Sequence, residues 1–464
     1  MHSRIKENHL LIINARLIDG TGTPPVVNRS ILIRDGVITR ISNTISVDNI
    51  PTIDANGYTV IPGLIDAHVH LESVPGSFYR NDNDEELWHA RIHQLKAYLA
   101  CGVTTVLDNG ISSRQLREFN QYVKKGGTSP RILALGPLFY PSGGYGDAVK
   151  MPHWGPFRVC DSIDDIESLF EEYEEFHNII GAKMTLEPGV GTSRIWKIHG
   201  HTMRTAITEA AKRRGLPLHI HALKSREQKT ALDMGVYCLA HAGFFVDKPT
   251  EQFIDELLNN GIYVTTTLAS VLGQILVMFD LQRLYNDPLL ELTVPPKQLT
   301  TARNPEAWNE TMYTFFKLIS PKWMPSFLIR LMLKRSNLEN KFTASVKNSA
   351  NAIVTMHREG VPIVAGTDSA NWPLFLNFFH GPSTILELAM LQKAGMNPID
   401  IISSATRIPA EMMRKADQFG TVKVGKRGDL IIVKEDPLHD IQALRNLAWI
   451  IKDGEARSPK EWMV

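Results

Sequence analysis

The sequence predicts an α/β fold: a (β/α)8 barrel carrying a small discontinuous β-sandwich domain built from the two ends of the chain. Three observations lead there. Eight apolar, β-branched runs alternate with helix-compatible stretches through the middle of the chain. Short hairpin-like strands crowd both ends. Histidine, lysine and aspartate recur where the central runs stop.

The chain has 464 residues, 43% hydrophobic and 21% charged, the composition of a folded globular protein. Its 50 Lys+Arg are balanced by 49 Asp+Glu, so no broad basic face exists to neutralise phosphates and a nucleic-acid partner is excluded. Cys101, Cys160 and Cys238 form no C-x-x-C pair, which argues against a disulfide framework and for a reducing compartment. No apolar run approaches the ~18 residues of a membrane span. Glu7, Asn8 and His9 stand where a signal peptide would begin its apolar stretch. The expectation is a cytoplasmic protein with a small-molecule substrate and no membrane partner, with a homo-oligomer left open.

Residues 1–62 begin the small domain. Runs such as Leu10-Leu11-Ile12-Ile13 and Ser30-Ile31-Leu32-Ile33 are separated by Asp19-Gly20, Asp35-Gly36 and Asn56-Gly57 turn signals. The same texture returns in 416–464, with Asp429-Leu430-Ile431-Ile432-Val433 and Trp449-Ile450-Ile451-Lys452-Asp453-Gly454, so the two ends pair around a central insertion. That insertion, 63–415, is the barrel. Its candidate strands lie at 60–68, 103–108, 131–135, 179–184, 216–221, 236–241, 261–267 and 361–367, with helical patterns such as 201–214 and 225–234 between them. The acidic stretch 161–175 places Ile163, Ile166, Leu169, Phe170 and Tyr173 at helical spacing and reads as a solvated helix. One connection is far longer than a helix and two loops require, and it defines a helical insertion at about 270–350. Its aromatic, basic run from Tyr313 to Arg335 is interrupted by Pro321 and Pro325. It reads as a lid or subunit contact ahead of a membrane-surface segment.

Active sites of such barrels lie at the C-terminal ends of the strands, so polar residues there carry functional weight. The first run ends in Asp66-Ala67-His68-Val69-His70, where alternate positions let both imidazoles meet one ion. His219 and His221 share a face of the fifth run. His221 lies nearer the mouth and is the expected ligand with His241, while His219 is expected to be a barrel-interior residue. Asp368 ends the last run in Gly366-Thr367-Asp368. Lys183, at the end of the fourth, cannot bind a cation as an ammonium, but its carbamate could bridge two metals.

These residues sit in stretches that resemble the amidohydrolase superfamily, in its imidazolonepropionase-like and prolidase-like branch of metal-dependent hydrolases. The similar stretches include Val60-Ile61-Pro62-Gly63-Leu64-Ile65-Asp66-Ala67-His68-Val69-His70, Gly215-Leu216-Pro217-Leu218-His219-Ile220-His221-Ala222, Ala365-Gly366-Thr367-Asp368-Ser369 and Gly420-Thr421-Val422-Lys423-Val424-Gly425. The resemblance runs almost end to end. It implies a divalent-metal centre, expected to be two Zn2+, with His68, His70 and Asp368 on one ion, His221 and His241 on the other, and carboxylated Lys183 as the bridge. Two departures fall on the substrate pocket: Leu107-Asp108 where the branch often has Arg-Asp, and Gly143-Gly144-Tyr145-Gly146 where it often has Gly-Gly-His-Gly.

The activity so implied is hydrolysis of a carbon–nitrogen bond, amide or peptide-type, by a metal-activated hydroxide with Asp368 as general base, as in a dipeptidase or prolidase. A lactone or carboxylic-ester hydrolase would use the same residues. A deaminase is disfavoured by Lys224, three positions after His221, where those relatives carry a carboxylate. A non-catalytic scaffold of the dihydropyrimidinase-related kind would be expected to lose ligands that this chain keeps. Tyr140 and Tyr145, in the loop after the third strand, are the expected substrate-binding phenols, beside an apolar pocket that Trp372 would help to wall.

Overall fold

The computed structural model describes residues 9–149, 155–189, 195–242, 248–270, 273, 275–321, 323–335 and 337–464. Positions 271, 272, 274, 322 and 336 of the anticipated 270–350 insertion lie outside the described residues.

Eight parallel strands form the barrel: Leu64–Val69, Val103–Asp108, Arg131–Ala134, Ala182–Thr185, Leu218–His221, Cys238–Ala240, Tyr263–Thr265 and Ile363–Val364. Strands one to three pair in sequence, as do strands four to eight. Two seams close the ring. Ala134 N–H donates to Asn178 O and Ile180 N–H to Ala134 O, both at 2.9 Å, joining strands three and four. Ala67 N–H donates to Ala365 O at 3.1 Å and Asp368 N–H to His68 O at 2.7 Å, joining strands one and eight.

Side chains on non-neighbouring strands can meet only across the interior of a closed ring. Ile65, Ala67, Leu107, Leu133, Cys238 and Val364 do so, with Met412, Met413 and Phe419 added from the chain after strand eight. Leu107 is thus part of this inner apolar packing. The larger apolar cluster lies between strands and helices. Helix Ile163–Glu174 contributes Ile166, Leu169, Phe170 and Tyr173, and Ser162 caps it in a reciprocal pair with Asp165.

The anticipated strand 60–68 is divided between two sheets. Thr59–Pro62 pairs antiparallel with Leu430–Val433 in the small domain, and Leu64–Val69 opens the barrel. The chain crosses at Gly63, where a Cβ would meet the Thr104 side chain at 2.3 Å. Strands from both ends of the chain form one mixed eight-stranded sheet. It folds over until Val37 bridges Arg427, giving the sandwich its two layers around Leu10, Ile12, Ile31, Ile33, Val60, Leu430 and Ile451. The Asp35-Gly36 and Asp453-Gly454 hairpins have positive φ at both central residues, which the twist of paired strands favours. Arg131, at the start of barrel strand three, reaches Asp429 at 2.8 Å and Asp453 at 3.0 Å, tying barrel to sheet.

After strand seven the chain forms helices Pro288–Thr293, Pro296–Ala302, Pro305–Ile319, Ser326–Arg335 and Leu338–Arg358. Three of these begin with proline, whose missing N–H costs nothing at that position. Pro321 and Pro325 do separate two helices. Among the described residues no helix is long and apolar enough to cross a membrane. All three cysteines are free and buried.

Candidate metal centre

His68, His70 and Asp368 stand at the C-terminal ends of strands one and eight, which adjoin. Their ligand-type atoms lie within 4.8 Å of one another. His68 Nε2 is 3.3 Å and His70 Nε2 3.2 Å from Asp368 Oδ1. The His241 ring is 4.6 Å from that of His68, and the His221 ring is 4.6 Å from that of His241. Five of the anticipated residues therefore form one continuous cluster at the mouth. Gly366 permits it, since a Cβ there would lie 2.7 Å from His68 Cβ.

The backbone is bent to aim these groups. His241, Thr267 and Asp368 have φ of 79°, 53° and 60°, a region that side chains normally avoid. Their surroundings hold the rings. His70 Nδ1 lies 3.3 Å from Gly110 O and His241 Nδ1 3.2 Å from Thr267 Oγ1, which turns each Nε2 toward the centre. Asn371 Nδ2 donates to Asp368 Oδ2 at 2.7 Å. Two buried carboxylates brace the frame. Asp66 accepts from Thr367 N and from the Thr367 and Thr384 hydroxyls, locking strand one to strand eight. Asp108 accepts from Leu71 N at 2.8 Å and Gly110 N at 2.9 Å, fixing the turn that receives His70. Burial lifts both acids to about 6.

Electrostatics favour neutral imidazoles around an ionised carboxylate. Burial, with Lys183 adding to it, holds His68 well below the usual histidine range. Burial likewise lowers His241, against the pull of Asp368. Burial alone would raise Asp368, but His241, His68 and His70 together draw it well below the usual carboxylate range. Neutral histidines with inward lone pairs beside a carboxylate are what a divalent cation requires. Both nitrogens of His68, and Nε2 of His221, are buried without a hydrogen-bond partner, so the donor set fits a cation.

Lys183 lies in the barrel interior, 1% exposed, in the second position of strand four rather than at its end. Burial lowers its amine to about 8. Its Nζ donates to Asn109 Oδ1 at 3.3 Å. His219 is paired in register with Lys183, and His221 with Thr185 one layer higher. His219 packs on Tyr237, and burial and Lys183 depress it to about 3.

Tyr145 stacks 5.3 Å from His221, and its hydroxyl accepts from Trp372 Nε1 at 3.1 Å. The Tyr140 hydroxyl donates to Asp147 at 2.9 Å instead. Trp372 continues the aromatic wall to Phe315 and Phe375. Sequence reasoning missed Asn109, Asn371 and Glu187. Glu187, 1% exposed, puts Oε2 3.6 Å from His221 Nε2 and Oε1 3.6 Å from Lys224. Its only sequence signal is a carboxylate in the turn Glu187-Pro188-Gly189, four positions after Lys183.

Comparison with known proteins agrees with this architecture. The family model described as the amidohydrolase family matches residues 59–457. Dihydroorotases from Bacillus cytotoxicus and Streptococcus pneumoniae are 41% and 40% identical over 66 and 74 residues. Those matches span 14% and 16% of this chain and only 15% and 17% of the length of those relatives. A crystal structure of a Xaa-Pro dipeptidase with bound methionine superposes with a TM-score of 0.72 at 23% identity, covering 97% of this chain and 100% of that one. A crystal structure of A. niger ochratoxinase gives a TM-score of 0.67 at 19% identity, covering 97% of this chain and 96% of that one. At such identities the superpositions establish the fold.

Proposed function

The chain belongs to the amidohydrolase family of hydrolytic enzymes, and from that membership we propose that it is a metal-dependent hydrolase of a carbon–nitrogen bond in an acyl-amino-acid or peptide-type amide. One observation carries the proposal: the donor atoms of His68, His70 and Asp368 converge within 4.8 Å, with the His241 and His221 rings continuing the cluster. In this reading His68, His70 and Asp368 would hold one divalent cation and His221 and His241 a second, with carboxylated Lys183 as the ligand that would serve both; zinc is the proposed metal. When bound, such cations polarise a carbonyl and lower the pKa of a shared water from ~15.7 towards ~7.

The remaining steps belong to side chains. Asp368, ionised at neutral pH, accepts the proton of the attacking water and passes it to the leaving nitrogen. Asn371 keeps its carboxylate in one orientation for both transfers. The Tyr145 hydroxyl accepts from Trp372, so its own proton is available for the substrate carbonyl oxygen. Tyr140 spends its proton on Asp147 and supports the loop. The aromatic wall of Tyr145, Trp372 and Phe315 suits a bulky apolar group beside the scissile bond. Residues 63–415 form the catalytic unit in this scheme, with 1–62 and 416–464 as its β domain.

A substrate panel tests the proposal. The metal-loaded protein should hydrolyse apolar acyl-amino acids or dipeptides with kcat/KM above that for lactones and carboxylic esters. Turnover of lactones alone would remove the carbon–nitrogen assignment and leave the same residues serving an ester hydrolase.

A further inference from the structure

The two helices Pro305–Ile319 and Ser326–Arg335 have an inner and an outer face of unusual character. Inside, Phe315, Phe316, Ile319 and Leu333 join Trp372 and Tyr145 in one apolar cluster, which places this element directly behind the aromatic wall of the site. Outside, Trp323 is 77%, Phe327 68% and Leu331 40% exposed. Trp323 and Phe327 are the most exposed aromatic side chains among the described residues. Phe327 and Leu331 are one helical turn apart and share a face, while Ile329 is turned inward at 3%. Trp323 stands in the turn just before this helix, and a soluble surface rarely presents three such large apolar side chains within one short stretch of chain without a partner.

The charge of the same segment says what that partner is. From 311 to 338 the sequence carries Lys317, Lys322, Arg330, Lys334 and Arg335 and neither Asp nor Glu. Arg330 stacks 4.0 Å over Tyr313 and lies 3.4 Å from Glu310, just outside the stretch; Lys317 is exposed. In a chain whose net charge is only +1, this is a local cationic excess. A symmetric contact between two copies would set that excess against itself. An anionic lipid surface complements both features: its phosphates attract a stretch of this charge, with exposed Lys317 among the described cations, and the aromatic and aliphatic side chains enter the headgroup boundary.

We propose that the outer face formed by Trp323, Phe327 and Leu331 docks on anionic membrane surfaces. The docking is independent of the catalytic reading. Its use, to bring poorly water-soluble acyl amides to the aromatic wall, rests on that reading.

Sedimentation of the full-length protein with vesicles decides the matter. Vesicles of phosphatidylglycerol and phosphatidylcholine in equal parts should capture at least about tenfold more protein than phosphatidylcholine alone, and added salt should release it. Trp323→Ser with Phe327→Ser and Leu331→Ser should reduce capture by about tenfold, with an unchanged thermal midpoint and unchanged hydrolysis of a water-soluble amide. Lys317→Gln should weaken capture on anionic vesicles alone. Wild-type protein left in the supernatant with both vesicle types would overturn the proposal, as would equal capture of the triple variant. A wild-type dimer that ignores vesicles and dissociates in the triple variant would overturn it in favour of self-association. Capture of a protein that cleaves no amide would leave the docking standing and defeat the carbon–nitrogen assignment; amide cleavage without capture would do the reverse.

Discussion

Asn109 holds Lys183 by a single directed contact: its Oδ1 lies 3.3 Å from Nζ, while its Nδ2 donates to Ala67 O at 3.0 Å and Leu107 O at 3.1 Å. Two carbonyls on the amide nitrogen leave only one possible orientation, with the oxygen toward the lysine. An amine that has taken up CO2 and released a proton keeps one N–H. Asn109 is placed to accept it, which would turn the two carbamate oxygens away, toward the histidines.

Asn109→Leu should therefore lose carbamate and metal together. Losing a hydrogen bond next to a charged group costs about 1.5–3 kcal/mol, so affinity for the bridged metals should fall about 10- to 100-fold. The 13C resonance of the carbamate after bicarbonate labelling, with metal analysis, measures both. Full labelling and full metal in the variant would mean that Asn109 positions nothing.

The amine of Lys183, lowered to about 8 by burial, should take up CO2 far more readily than an ordinary lysine. At pH 7 its neutral fraction is about 300-fold that of a lysine titrating near 10.5. Carbamate formation in metal-free protein should rise with pH and be half-maximal near 8. Before carboxylation, stability should also rise between about 8 and 10.5, where the unfolded chain binds the proton and the folded chain does not. Lys183→Ala should lack both trends and regain activity in part with a short carboxylic acid. A midpoint near 10.5 would contradict the buried amine.

His221→Ala should lose metal and activity, whereas His219→Ala should retain most of both. The two residues differ by one layer, with His219 beside Lys183 and Tyr237 and His221 beside His241. Metal analysis of the two variants separates them, and the reverse order would place the second cation lower in the barrel.

Tyr145→Phe should reduce kcat by about 100-fold with little change in KM, as expected for a donor that acts on developing charge. Tyr140→Phe should change kcat much less, since that hydroxyl serves Asp147. Equal kcat in wild type and Tyr145→Phe would reject the phenol role.

Glu387 accepts from Thr266 Oγ1 at 2.5 Å, Leu268 N at 3.0 Å and Ala269 N at 2.5 Å, so both its oxygens receive a backbone N–H. Glu387→Gln sets an NH2 against one of those donors. A loss of about 1–3 kcal/mol in denaturant unfolding is expected. An unchanged midpoint would show that the loop after strand seven does not depend on this carboxylate.

Much of the fold was legible because periodicity and turn chemistry are local. The eight barrel strands fell within or beside the anticipated runs, and the hairpins at Asp35-Gly36 and Asp453-Gly454 carried their turn residues openly. The division of 60–68 between two sheets was not legible. An apolar strand has the same appearance whichever neighbour it pairs with, and the crossing at Gly63 depends on the Thr104 side chain from another strand.

The candidate centre divides in the same way. Residue type and strand-end position singled out His68, His70, His221, His241 and Asp368, because ligand chemistry belongs to the residue and the barrel supplies a common mouth; Lys183 was singled out with them from an anticipated strand end that proved to be the second position of strand four. Tertiary structure alone brought in Asn109, Asp66 and Asp108, whose side chains are unremarkable in sequence and act through partners tens to hundreds of positions away, and Asn371, which meets Asp368 only because the backbone bends between them. It also decided that Tyr145 faces His221 while Tyr140 turns to Asp147, and that Trp323 and Phe327 stand in solvent. Composition and spacing record which groups a chain possesses; only closure of the ring sets the distances and burial that determine which of them share a proton, an ion or a surface.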